Sequence, residues 1–333
     1  MGYQAMVTTV RATRRPLRSY RVLASAVALA AVSLVGPTHP AHAADPITAS
    51  DQPYFAYYHL DQARAKGYTG AGVTIAMIDG KVDGSVPELV GAAVTNKTQC
   101  MIRSSPEVTS HGTGTAAILV SRNYGVAPEA SLLTYQATFG ANGDTGESDC
   151  RDASGARRDS YPWLLNAAMN DGAQIINVSA SSPNEYNELR WVAARAMKHG
   201  VLIVGAAGND ARNDDASSLS LWSGVIGVSA ISLDGSRQDY SSWGQGVTTA
   251  AVGGPILERN IATGGNDTVQ GTSVSAPIVA GTLALARQKW PNATSNQLLQ
   301  LLVKTGLNPD HGWNQYTGYG AVDPAAMVNT DPS

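Results

Sequence analysis

The stretch Gly271-Thr272-Ser273-Val274-Ser275-Ala276-Pro277 opens a helix-like run that reaches about Trp290. It sets a serine hydroxyl at a helix N-terminus, where backbone N–H groups have no helical acceptor and the positive end of the dipole lies. That position favours negative charge developing during acyl transfer. A serine alone specifies no reaction. The chemistry turns on whether a base, an orienting acid and a second oxyanion donor stand elsewhere in the chain.

Upstream of this run, short apolar segments alternate with helical ones. Val73 to Ile78, Ala130 to Tyr135, Gln174 to Val178, Val201 to Ala206 and Val225 to Ala230 read as buried parallel strands. Tyr161 to Asp171 reads as a helix. So does Glu185 to His199, with Asn184 as N-cap, apolar residues at Leu189, Val192, Ala193, Ala196 and Met197, and Gly200 at the C′ position. Downstream, Thr294 and Gln297 form a capping box ahead of Leu298, Leu301 and Leu302. This alternation predicts an α/β protein with a mostly parallel sheet covered on both faces. Functional residues are then expected at the carboxyl ends of strands.

Residues 1–43 stand apart from that pattern. Arg11, Arg14, Arg15, Arg18 and Arg21 form a basic region, Val22 to Val35 an apolar one too short to span a bilayer comfortably, and Ala41-His42-Ala43 an A-x-A cleavage site. They read as a signal peptide, followed by a short tail at 44–53 and one domain at 54–330. Thr13-Arg14-Arg15-Pro16-Leu17 has a twin-arginine look, which leaves the export route open. Without those five arginines, 18 basic residues face 26 acidic ones, a net charge of −8. An acidic surface argues against nucleic acid or an anionic membrane as partner. No second hydrophobic segment has spanning length, so a secreted, extracellular monomer with no membrane contact is expected after signal removal. Cys100 and Cys150 form an even pair in an exported chain, which favours a disulfide. It would close a loop of about fifty residues and contribute about 3–4 kcal/mol in the chain-entropy view. Two buried free thiols are the alternative. No C-x-x-C or Cys/His cluster suggests zinc.

A base for Ser273 must come from six histidines, of which His39 and His42 leave with the signal. His59 lies in a Tyr-rich stretch, His199 in a helix's last turn, and His311 in a loop. His111 differs, because it opens His111-Gly112-Thr113-Gly114-Thr115-Ala116-Ala117, whose small residues allow a helix to pack closely and carry the imidazole to a cleft. The orienting acid should sit at a strand end. Asp79 directly follows Val73–Ile78, and Asp83 is its nearby rival. Asp79 also reads as a turn residue before Gly80. Asn209, after Gly208 at the end of the Val201–Ala207 run, carries an amide able to reach a cleft, or simply makes a turn.

Taken together, Asp79, His111, Asn209 and Ser273 occur in an order that resembles a known family, the secreted bacterial type of subtilisin-like serine peptidases, or subtilases. Their Asp…His…Ser order differs from that of chymotrypsin and the α/β-hydrolases. Ile78-Asp79 with Val82-Asp83 resembles the family's aspartate motif, His111-Gly112-Thr113 its histidine motif, and Gly271-Thr272-Ser273 with Ala276-Pro277 its serine motif. Ala206-Ala207-Gly208-Asn209 resembles the oxyanion segment, Gly125-Val126-Ala127-Pro128 a linking signature and Gly318-Tyr319-Gly320 a C-terminal one. The resemblance covers about Tyr54 to Ala326. It implies a three-layer α/β/α subtilisin-like fold and a serine endopeptidase. In that reading Ser273 attacks the scissile carbonyl, His111 takes its proton, and Asp79 fixes the imidazole tautomer. Asn209 and the Ser273 N–H hold the oxyanion. Ser179, Ala180, Ser181 and Gly208 bind substrate, a polypeptide.

The chain departs from the family at several points. Asp79-Gly80-Lys81 replaces Asp-Thr/Ser-Gly, so a left-handed Lys81 would carry strain. Ser179-Ala180-Ser181-Ser182 replaces Ser-Leu-Gly-Gly, and Ser181 adds a side chain where substrate backbone should approach, which narrows the groove. Ala141 to Ser160 is a long connection carrying Cys150, Arg157 and Arg158, read either as a solvated loop or as a disulfide-pinned specificity loop. The tail leaves no room for an inhibitory prodomain. The segment from His111 to Gly125 lacks the calcium loop of bacterial subtilisins. No cofactor is expected, though a structural calcium at Asn209–Asp215 is conceivable from its acids. Two other functions compete. A catalytically silent subtilase-fold binding protein has Gly80-Lys81 in its favour. An esterase of the α/β-hydrolase class lacks its G-x-S-x-G elbow around Ser273.

Overall fold

The computed structural model describes residues 45–100, 102–137, 150, 154–155, 157–180, 186–214, 218–308 and 312–333. The expected signal peptide, Asn184, Glu185, Ser181, His311, Asp215 and most of Ala141–Gly155 lie outside the described residues. Seven parallel strands form the central sheet: β1 (Thr74–Asp79), β2 (Val94–Asn96), β3 (Ser131–Gln136), β4 (Ile175–Val178), β5 (Leu202–Ala206), β6 (Val225–Ile231) and β7 (Val247–Val252). Their spatial order is β2-β3-β1-β4-β5-β6-β7. A separate antiparallel hairpin joins β8 (Ile256–Arg259) to β9 (Asn266–Val269). The helices are α1 (Pro53–Tyr57), α2 (Leu60–Ala65), α3 (Pro106–Val120), α4 (Tyr161–Asn170), α5 (Tyr186–Lys198), α6 (Thr272–Lys289), α7 (Ser295–Lys304) and α8 (Pro324–Asn329). None of the described helices is long and apolar enough to cross a membrane.

Alternation along β1 builds both layers of core. Ile75 and Met77 pack with Leu119 of α3, Leu283 of α6 and Leu301 of α7. Ala76 and Ile78 face the other way, into Leu165 of α4 and Ala196 of α5. Each such buried Ile, Leu or Met contributes roughly 1.5–3 kcal/mol relative to exposure. α6 is buried along nearly its whole length, as its apolar circumference requires. Gly281 lets it come against Val126, because a Cβ there would lie 2.6 Å from that side chain. That contact gives the Gly125–Pro128 segment its structural role. Gly318-Tyr319-Gly320 closes the other end: Tyr319 N–H donates to Thr248 O and Ala250 N–H to Gly320 O, both on β7.

The five expected strands and the α4 and α7 helices are present within a residue or two of the reading. The Thr294–Gln297 capping box is formed. The structure adds β2, β7 and the β8–β9 hairpin to the expected strands. α3 starts at Pro106, with Ser105 Oγ accepting from Val108 N–H at 3.2 Å, so His111 lies in its second turn. The segment before α1 is seated rather than loose, with Ile47 and Gln52 both buried. The chain leaves β1 towards β2 and β3 on one side and later returns as β4 on the other. The order therefore reverses at β1, and a crevice is expected beyond its carboxyl end.

Candidate active site

β1 ends in Asp79, whose carboxylate is fully buried. Its Oδ1 accepts from Gly80 N–H at 2.6 Å and from His111 Nδ1 at 2.7 Å. Its Oδ2 is buried without a hydrogen-bond partner among the described residues. A buried charge of this kind is costly unless paired, so the imidazole and the carboxylate depend on each other.

Two glycines permit the pairing. A Cβ on Gly112 would lie 2.6 Å from the carbonyl oxygens of both Gly80 and Lys81. A Cβ on Gly80 would lie 2.6 Å from Val108 Cγ1 and closer still to the Val108 carbonyl oxygen. α3 thus lies directly on the loop after β1, and only hydrogen atoms fit between them. Lys81 is exposed and does not adopt a positive φ, so the strain expected of a left-handed lysine does not arise. Glycine is needed one position earlier, for space rather than for φ. Asp83 is engaged locally: its Oδ1 accepts from the Ser85 hydroxyl at 2.6 Å and the Ser85 N–H at 2.9 Å. Those bonds hold its carboxyl below the usual range.

About a third of the His111 side chain stays accessible, at 31%. Burial disfavours the charged ring. The charge and hydrogen bond of Asp79, joined by the charge of Glu258, outweigh it and push the pKa up to about 9. His59 precedes α2 and His199 follows α5, both away from this strand end in the chain.

Ser273 is the second residue of α6, partly exposed between buried neighbours. Pro277 lacks the N–H that would bond the Ser273 carbonyl, which loosens the first turn at the serine. Asn209 lies just past β5. Its Oδ1 accepts from Thr272 N–H at 2.8 Å and from the Thr272 hydroxyl at 3.0 Å. That hydroxyl in turn accepts from Gly208 N–H at 3.1 Å. With Oδ1 held, the Nδ2 end turns to the serine: a Cβ on Gly271 would lie 3.0 Å from Ser273 Oγ and 3.2 Å from Asn209 Nδ2. An N–H donor and a hydroxyl therefore share one small space above a helix N-terminus, where negative charge is favoured.

Of the expected substrate-binding residues, the three described ones follow the carboxyl ends of adjacent strands. Ser179 and Ala180 follow β4, and Gly208 follows β5, which pairs with β4. The buried Ser179 Oγ accepts from Asn177 Nδ2 at 2.9 Å. Gly208 has φ 107°, a conformation that favours glycine. Cys100 and Cys150 form a disulfide. Arg157 binds Asp159 through two bonds of 2.9 and 2.6 Å, and Arg158 reaches Gln99 at 2.9 Å. Both guanidiniums thus have protein partners beside the bridge. Asp210 pairs with Arg212 at 3.5 Å, and Asp214 accepts from Gln245 N–H at 2.7 Å. Their carboxylates face protein groups, and among the described residues no His, Cys, Asp and Glu converge as a metal site requires. Three features escaped the sequence reading: the Thr272 bridge to Asn209, the Gly80–Gly112 approach, and Glu258 beside His111.

A model of the subtilase family matches residues 70–320. The chain is 27% identical over 287 residues to subtilisin E of Bacillus subtilis, covering 81% of this chain and 71% of that one. It is 30% identical over 336 residues to mycosin-1 of Mycolicibacterium smegmatis, covering 84% and 73%. The solved structure of the serine protease MycP1, an essential component of the type VII (ESX-1) secretion system, superposes with a TM-score of 0.69 at 25% identity, covering 86% of this chain and 90% of that one. The matched region runs from just before β1 to the Gly318–Gly320 turn on β7, and on that ground the chain belongs to the subtilase family and is a serine-type peptidase.

Proposed function

We propose that the chain is a secreted serine endopeptidase acting through Asp79, His111 and Ser273 and an acyl-enzyme intermediate. The observation that carries this reading is the 2.7 Å bond between His111 Nδ1 and the buried Asp79. With Nδ1–H given to Asp79, the neutral ring has Nε2 as its acceptor. Ser273 Oγ gives its proton to that nitrogen as it attacks the scissile carbonyl, and the carbonyl electron pair moves to oxygen. Asn209 Nδ2 and the Ser273 N–H stabilise the resulting oxyanion. His111 then returns the proton to the leaving amine, and water resolves the acyl-enzyme by the same steps in reverse. No step draws on a cofactor.

Ser179, Ala180 and Gly208, past the carboxyl ends of β4 and β5, line the path of an extended polypeptide. The serine at 181, where subtilases carry glycine, is the sequence departure that favours a selective chain. Export follows from the basic, apolar and A-x-A pattern of residues 1–43. Incubating the purified mature chain with casein, and comparing it with the Ser273→Ala variant, tests the proposal. Cleavage that vanishes with Ser273 supports it. A folded wild-type chain that leaves casein and a panel of unfolded polypeptides intact favours the binding-protein reading.

A further inference from the structure

Glu258 lies in β8, opposite Asp267 of β9. Strand alternation sends it to the side opposite Arg259, whose guanidinium turns to Glu88. Its carboxyl group occupies the notch left by Gly114, where a Cβ would lie 2.7 Å from the carboxyl carbon. Gly114 stands three residues beyond His111 in α3, so the two share a helix face one turn apart. The charged and titratable groups that act with Glu258 are His111 of α3, Asp79 of β1, Asp267 of β9 and Tyr124 beyond α3. His111 is the basic one. The imidazole thus feels the charges of two carboxylates, and Asp79 holds it by a hydrogen bond of 2.7 Å.

We propose that Glu258 is a second acidic positioning residue of this site, acting through His111 to strengthen the imidazole as a base and to stabilise the imidazolium that forms when Ser273 gives up its proton. This rests on the reading of His111 as the base of Ser273. No bond is made or broken at Glu258; its contribution is its charge. That charge is present above near-neutral pH. Burial raises the Glu258 pKa, His111 opposes the rise, Asp79 and Asp267 add to it, and the result is about 7. Once ionised, Glu258 holds the His111 proton more tightly, so the resting enzyme gains its neutral base at higher pH. Replacing the carboxylate by an amide of the same shape reverses this. The acid limb of the pH profile moves down, and the fully deprotonated base is weaker.

The test measures the second-order rate of Ser273 modification by a fluorophosphonate from about pH 5 to 11, for the wild-type chain and Glu258→Gln. The acid limb is expected to move down by about one pH unit, and the limiting rate at high pH to fall a few-fold. A structural role alone would lower stability or rate without moving the limb, so superimposable limbs overturn the proposal. Should Glu258→Gln not fold, the histidine ring NMR of the Ser273→Ala chain decides. His111 is expected to show two inflections, near 7 from Glu258 and near 9 from itself; a single inflection overturns the proposal. A folded wild-type chain that is never modified removes the reading beneath it as well. Modification with an unmoved limb removes the Glu258 role alone.

Discussion

Thr272 decides which end of the Asn209 amide faces the nucleophile. Its N–H and hydroxyl both donate to Asn209 Oδ1, so rotating the amide would forfeit two hydrogen bonds. The cost of that rotation, about 1 kcal/mol or more per bond, keeps Nδ2 on the serine side. Asn209→Ala is therefore expected to lower kcat by about 10²–10³-fold with little change in KM, measured on any cleaved peptide. A loss confined to KM would deny Asn209 its oxyanion role. Asp79 and Asn209 were legible in the sequence because each stands beside a glycine at a strand end, Ser273 because it follows Gly271-Thr272 at a helix start, and His111 because Gly112 and other small residues follow it, all in family order. Thr272 sits within the quoted motif, but its task depends on β5 and α6 ending at the same place. Glu258 carries no local signature at all. It matters because an absent side chain at Gly114 admits it, and such a vacancy is visible only in three dimensions.

Among the elements, the closeness of α3 to the loop after β1 sets the His111–Asp79 bond. A methyl on Gly112 would push against the Gly80 and Lys81 carbonyl oxygens at 2.6 Å. Gly112→Ala is expected to destabilise the fold by about 1–3 kcal/mol in urea unfolding. It should also cut activity of the still-folded fraction by more than that loss of stability explains. Full activity per folded molecule would show that the approach is not required. β1 and β3 to β6 were legible as elements because strands buried on both faces read as continuous apolar runs. β9 (Asn266–Val269) is polar and largely exposed, so no burial pattern marks it. β2 is three residues long, too short for a periodicity. The start of α3 was hidden because its first turn, Pro106-Glu107-Val108-Thr109, has no apolar stripe until the helix meets α6.

At the scale of the whole molecule, the buried pair Arg259–Glu88 ties distant parts of the chain together. The side chains are 6% and 1% exposed. Arg259 also donates to the Asp45 carbonyl at 3.2 Å, and Glu88 accepts from Ile47 N–H at 3.0 Å. The hairpin beside the site, the turn after β1 and the N-terminal segment are thereby held as one. Burial alone would raise the Glu88 pKa, but the Arg259 and Ile47 hydrogen bonds outweigh it and hold it below its ordinary 4.5. Such a group contributes stability above that value and loses it as the pH falls through the folded pKa. Arg259→Met leaves an unpaired buried carboxylate. It is expected to cost about 3–5 kcal/mol at neutral pH, and less at pH values where Glu88 takes up a proton. Urea titrations at several pH values check this, and a pH-independent difference under 1 kcal/mol would place the pair among the inconsequential ones.

The central claim is that Ser273 is an activated nucleophile, and its most direct measurement is covalent labelling. The folded mature chain is treated with a fluorophosphonate and the adduct is located by mass spectrometry. The account predicts one adduct, on Ser273, and none on a folded Ser273→Ala variant. A folded wild-type chain that carries no adduct at Ser273 would contradict it.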